Sequence, residues 1–149
     1  MTAEPKAPAC ELCFADGGSL VVRNELLRVV LVDDPDYPGY ARVIVNAHVK
    51  EMTNLDAPAL ARVMAAVYAV EDALRAVLAP DKVNLASFGN LVPHLHWHVI
   101  PRFVDDAHFP QPIWGVRQRE PAAEKLAARR ARLAQLAEAI RVRLAAAAA

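Results

Sequence analysis

Residues 94–100 read HLHWHVI, a strict alternation of imidazole and apolar side chains. On a β-strand successive side chains point to opposite faces. His94, His96 and His98 therefore share one face, and Leu95, Trp97 and Val99 share the other. The apolar face packs on a core and holds the strand rigid. The opposite face presents three imidazoles in a row, about 6.5–7 Å apart along the strand. Three of the chain's five histidines are gathered this way.

Two chemistries suit such a row. Alternate strand residues converge well enough for His94 and His96 to share one metal ion, whereas His94 and His98, about 13 Å apart, are too distant for one site to hold all three. A phosphate ester fits better. An imidazole with a pKa near 6.5 is available as a neutral nucleophile at pH 7. It attacks phosphorus in line while a neighbouring imidazole donates to a phosphate oxygen.

Outward from this segment, short Val- and Leu-rich runs alternate with turn signals. Ser19–Arg23 and Leu26–Val32 read as a β-hairpin, Asp33–Tyr40 as a Pro- and Gly-containing loop, and Ala41–Asn46 as a third strand. Asp56 is a candidate N-cap, and apolar residues recur at helical spacing from Leu60 to Leu78 before Pro80, so a helix is predicted over 57–79. Lys82–Phe88 and His94–Phe103 read as further strands, broken by Gly89-Asn90, and 105–115 as a loop. From about Glu120 the chain is built of strong helix formers, with an apolar stripe at Leu133, Leu136, Ile140 and Leu144 and a solvated basic face. The pattern predicts an α+β domain with a mostly antiparallel sheet, a central helix and an additional C-terminal helix. Residues 1–9 are expected as a disordered lead-in, 10–115 as the domain, and 116–149 as a helical extension.

With 149 residues the chain is long enough to bury a core without disulfides. Seventeen basic residues balance seventeen acidic ones, which argues against partners held by bulk charge such as nucleic acid or a membrane surface. No apolar run approaches the roughly 20 residues that span a bilayer, and Met1–Pro8 has no signal-peptide pattern. A soluble cytoplasmic protein is expected. The two cysteines, Cys10 and Cys13, have the spacing of half a tetrahedral zinc site, and equally that of two reduced thiols.

The segment His94–Ile100, with Gly89-Asn90 upstream and Pro101-Arg102 downstream, resembles the histidine triad superfamily of nucleotide hydrolases and transferases. Pro38-Gly39 before a Val-rich strand ending near His48 agrees with it. The stretch GNLVPHLHWHVIPR, followed by DDAHFPQPIW, looks most like bacterial members described as diadenosine tetraphosphate hydrolases. The resemblance implies an enzyme cleaving at the α-phosphorus of a dinucleoside polyphosphate or nucleoside phosphoramidate. His96 would be the nucleophile, and His98 would contact the phosphate and assist the leaving group. Asp33 would bind the ribose hydroxyls, and Asn90 would supply an amide donor where the family has Gln. It implies a structural zinc ion on Cys10, Cys13, His48 and His94, and a homodimer paired through the central helix and a sheet edge. Two residues depart from the pattern. Leu91 stands where the family carries Ser or Thr, and Tyr40 replaces the His of Pro-Gly-His. Two alternatives stay open: a nucleotide-binding module with vestigial catalysis, and a zinc hydrolase whose metal sits on His94 and His96. His96→Ala is expected to cost little stability, as a change on an exposed strand face.

Overall fold

The computed structural model describes residues 6–7 and 9–147, so most of the expected lead-in lies outside the described residues. A one-turn helix α1 (Glu11–Phe14) precedes strands β1 (Ser19–Arg23), β2 (Leu27–Leu31) and β3 (Ala41–Val45). Helix α2 (Ala57–Leu78), strands β4 (Lys82–Ala86) and β5 (His96–Arg102), and helices α3 (Ala123–Arg130) and α4 (Leu133–Ala147) follow. The five strands form one sheet in the order β1-β2-β3-β5-β4, antiparallel at every pairing. This is the α+β fold that the strand pattern predicts.

The sheet has two unlike faces because its residues alternate. Val29, Val43 and Trp97 are register partners across β2, β3 and β5, and they face the core beneath α2. The next row, Val30, Arg42 and His98, faces the opposite way. Helix α2 starts where Asp56 accepts a hydrogen bond from the Ala59 amide at 2.9 Å, and ends on Ala79 in the left-handed region. It buries Val63, Val67, Val70, Leu74 and Val77, the face read from the helical spacing. Gly39 turns the chain into β3 at φ +94; a Cβ there would lie 2.5 Å from Leu78 Cδ1, so the turn tolerates only glycine against α2. No helix among the described residues is long and apolar enough to cross a membrane.

The C-terminal region departs from the expected single solvated helix. No breaker marks the join at Ala131–Arg132; the two halves are held by different parts of the fold. In α3, Lys125 and Arg129 both pair with Asp105 in the loop after β5, and the Arg129 guanidinium lies 3.6 Å from the centroid of the Phe103 ring. In α4, Leu136 and Ile140 are fully buried in the main core and the helix packs along α2. Arg143 pairs with Asp72 of α2 at 2.5 Å, and Arg141 donates to the Val21 carbonyl. The basic face is thus tied to the domain rather than left to solvent.

Because α4 completes the core, Leu136→Ala should destabilise the chain by about 2–4 kcal/mol. Denaturant unfolding should detect this loss. A change below about 0.5 kcal/mol would mean that α4 only decorates the surface.

Candidate active site and metal cluster

Strand β5 carries the decisive residues, and it begins at His96 rather than His94. The segment before it stays extended: the Leu95 amide donates to the Val49 carbonyl, and the Val45 amide donates to the Leu95 carbonyl. All three histidines face away from α2, as alternation requires, but they divide into two sites.

His94 is fully buried and turns to the N-terminal knuckle. Its Nδ1 lies 3.5 Å from Cys10 Sγ, 3.6 Å from Cys13 Sγ and 3.4 Å from His48 Nδ1, and Cys13 Sγ lies 3.3 Å from His48 Nδ1. The ligand atoms of the four residues all lie within 4.8 Å of one another. A tetrahedral metal with thiolate and imidazole ligands at ordinary bond lengths has edges of about 3.3–3.8 Å. The four separations of 3.3–3.6 Å fall in that range. His94 Nε2 donates to the Val45 carbonyl at 2.6 Å, which leaves Nδ1 unprotonated as a ligand requires. The cluster can hold a metal ion with no open position. Arg28 braces it from the sheet, donating to the carbonyls of Leu12, Ala15 and Asp16.

His96 stays outside the cluster. Its Nδ1 donates to the His94 carbonyl at 2.5 Å, so its Nε2 keeps a free lone pair. Burial lowers the His96 pKa, and the nearby Arg42 cation adds to the effect. His98 sits beside it with ring centroids 4.9 Å apart. Burial, then the neighbouring His96 and Arg42, bring His98 down to about 3. The Tyr40 hydroxyl is 2.5 Å from His98 Nδ1. Burial raises the Tyr40 pKa, so the hydroxyl keeps its proton and we assign it as the donor. That assignment puts the remaining imidazole proton of His98 on Nε2. Two neutral imidazoles in opposite tautomers therefore stand side by side, one with an exposed lone pair on Nε2 and one with an N–H there.

Both line a cavity of about 600 Å³ together with Glu11, Arg42, the 88–92 turn, Pro112, Trp114 and Gly115. Phe88 and Trp114 form an edge-to-face pair 5.0 Å apart, and each ring also contacts His98. The triad face is therefore covered, not exposed: His96 and His98 are 8% and 6% accessible. The expectation that His96→Ala costs little stability, as a change on an exposed strand face, is corrected accordingly, since removing a buried ring leaves a void.

Asn90 lines the cavity as the sequence suggests, and Leu91, 96% accessible, offers it no hydroxyl. Asp33 is not brought there; it is exposed and lines a separate hollow with Arg130, Leu133 and Pro38. Sequence reasoning passed over Arg42, Glu11 and Phe88. For Arg42 a signal existed, a lone cation in the Val-rich run ARVIV. His108 does not reach the cavity; its Nδ1 lies 2.7 Å from the Tyr37 hydroxyl.

A family model, the HIT domain, matches residues 17–105. The chain belongs to the HIT-domain family. Helices α3 and α4 lie beyond the matched segment, although α4 packs on its core. An AP-4-A phosphorylase of Mycobacterium tuberculosis strain H37Rv is 30% identical over 122 residues, covering 76% of this chain. The chain spans 63% of that relative's length. Among solved structures, a histidine triad protein from Bradyrhizobium japonicum is 28% identical with a TM-score of 0.68, covering 87% of this chain and 92% of its own. A zinc-bound histidine triad family protein from Mycobacterium smegmatis is 25% identical with a TM-score of 0.57, covering 88% and 97%.

The loop that carries Trp114 is fixed by Asp106. Its carboxylate pairs with Arg102 at 2.7 Å and accepts from the amides of Phe103, His108 and Phe109. Burial pushes the Asp106 carboxyl up, but these donors outweigh it and bring it to about 2. A carboxyl held below its unfolded value stabilises the fold above that unfolded value, and the benefit disappears as pH falls through the folded one. The wild-type chain should therefore lose about 2 kcal/mol between roughly pH 4 and pH 2 from this group. Asp106→Asn should cost about 3 kcal/mol at pH 7, because Arg102 is left buried and unpaired. Unfolding curves across that pH range should show the gap between the two proteins narrowing towards pH 2.

Proposed function

We propose that this HIT-domain chain is a nucleotide hydrolase or nucleotidyl transferase that cleaves at the α-phosphorus of a nucleoside phosphate derivative through a covalent nucleotidyl-His96. The observation that carries this is the His96 tautomer. Nδ1–H is held by a backbone carbonyl, Nε2 is free of any hydrogen-bond partner among the described residues, and the ring lines the cavity. The HIT-domain match and the relative called an AP-4-A phosphorylase support a nucleotide as the substrate.

In the first step the Nε2 lone pair of His96 forms a bond to the α-phosphorus, and the bond from phosphorus to the bridging atom breaks with its electron pair leaving on that atom. The positive charge formed on the His96 ring is met by the His94 carbonyl at Nδ1. His98 Nε2–H donates to an oxygen of the phosphate. In the second step a water oxygen, or another acceptor, bonds to phosphorus. The N–P bond then breaks and its pair returns to Nε2, while the acceptor's proton passes to solvent or product. Asn90 serves as an amide donor at the cavity rim. The role expected for Asp33 on the ribose has no support in its position.

A structural zinc ion on Cys10, Cys13, His48 and His94 belongs to the same reading, supported by the cluster geometry and by the zinc-bound relative. Such an ion supplies rigidity, with no part in the phosphorus chemistry. A catalytic metal on His94 and His96 is disfavoured, because Nδ1 of His96 is engaged by backbone and Nδ1 of His94 belongs to the cluster. The reading extends to a homodimer, supported by Tyr68, 57% accessible on α2, and by the outer edge of β4, which pairs with no strand among the described residues.

Two experiments test this. Alkali-quenched incubation with an adenylated substrate, followed by mass spectrometry under conditions that spare the acid-labile N–P bond, should find a nucleotide on His96, and His96→Ala should retain under about one per cent of the activity. It should also lose about 1–2 kcal/mol of stability. Normal turnover by His96→Ala would defeat the assignment. Metal analysis should find one zinc per chain, with occupancy falling on acidification as the thiolates protonate. Cys13→Ser should lower the melting temperature more than it slows the chemistry.

A further inference from the structure

We propose that Arg42 grips the leaving phosphate and so selects substrates in which the bond broken is a phosphoanhydride rather than a phosphoramidate. The inference rests on the reading that His96 attacks the α-phosphorus.

Arg42 is the register partner of His98 on the adjacent strand, so the two side chains stand together on one face of the sheet. It is the only lysine or arginine among the residues lining the cavity. One Nη donates to the Gly17 carbonyl at 3.2 Å, and the guanidinium lies 5.6 Å from the Tyr40 ring centroid. No carboxylate pairs with Arg42 among the described residues, and its Nε is buried with no hydrogen-bond partner. An unneutralised cation with an orphaned donor is costly in a folded protein. Phosphate oxygens offset that cost, and a guanidinium fork suits them. The other charged lining residue, Glu11, is a carboxylate and offers phosphate nothing. The 89–92 turn has neither hydroxyl nor cation, since it reads Gly-Asn-Leu-Val. Beside the Asn90 amide at the rim, the task of holding leaving phosphate oxygens falls to Arg42 and His98.

Proton accounting points the same way. His98 is neutral and its Nδ1 is occupied by the Tyr40 hydroxyl. It can donate a hydrogen bond from Nε2, but surrendering that proton would leave an imidazolate or a buried tyrosinate. An amine expelled from a phosphoramidate needs a proton at nitrogen. A phosphate expelled from an anhydride does not: the P–O bond breaks, the electron pair stays on the bridging oxygen, and the anion leaves against Arg42.

The test compares a dinucleoside polyphosphate with a phosphoramidate of the same nucleoside. Wild type should prefer the anhydride in kcat/KM. R42Q should lose about a hundredfold on the anhydride and under about fivefold on the phosphoramidate, with R42K intermediate. Inorganic tripolyphosphate should compete with substrate in the wild type and about tenfold more weakly in R42K, a comparison that decides the matter even if R42Q does not fold. Equal losses on both substrates, or no change in tripolyphosphate inhibition, would overturn the role of Arg42. The underlying reading fails separately: no nucleotide trapped on wild-type His96 with either substrate would defeat both. An adduct formed normally in R42Q from both substrates at wild-type rates would defeat only the selection by Arg42.

Discussion

Everything at the functional end of this molecule depends on how His94 is held. Its side chain joins the Cys10–Cys13–His48 cluster through Nδ1 and anchors to Val45 through Nε2. Its backbone carbonyl accepts a hydrogen bond from His96 Nδ1. One residue thus connects the N-terminal knuckle, the end of β3 and the His96 ring. The carbonyl is aimed because the imidazole on the same residue is gripped at both nitrogens. The orientation of the His96 ring is inherited from a cluster that the ring itself does not join.

The second constraint is desolvation. A strand face carrying charged imidazoles could not be covered so closely. Here the cover of aromatic rings and the cation of Arg42 keep the rings neutral, with a bare lone pair on one Nε2 and an N–H on the other. Tyr40 fits this scheme: a phenol donates one hydrogen bond to His98 and stays uncharged, where an imidazole in its place would bring a further titrating group beside His96 and His98. Trp114 closes the cover, and it is held by a loop whose own order comes from the buried Arg102–Asp106 pair.

The sequence made the central architecture legible because its strongest signals are local and periodic. The HLHWHVI alternation, the Asp56 cap and the apolar spacing of α2 each need only a few neighbouring residues to be read. The cluster of Cys10, Cys13, His48 and His94 was accessible only through resemblance, since spacing alone left the thiols without partners. What stayed hidden depends on tertiary placement. The helix-forming run after Glu120 carries no mark of its division, which arises from Asp105 and Phe103 on one side and α2 on the other. Asp33 looked suitable as a carboxylate at a strand end, yet it lies beyond the end of β2, two strands from β5. Arg42 was read merely as part of a strand, because its neighbour His98 is 56 positions downstream and register alone brings them together.

The knuckle also dictates an order of assembly. Cys10 and His94 are 84 positions apart in the chain. During translation the two thiols emerge long before the imidazole that completes their set, and even His48 arrives only with the third strand. A nascent chain therefore carries a pair of uncommitted cysteines for most of its synthesis, open to oxidation or to capture of a stray thiophilic ion. Closure of that long loop needs β5 beside β3, so the four-residue cluster is among the last features to be completed. A chain whose thiols are oxidised before that point would keep its helical core and lose the cluster against which the His96 ring is oriented.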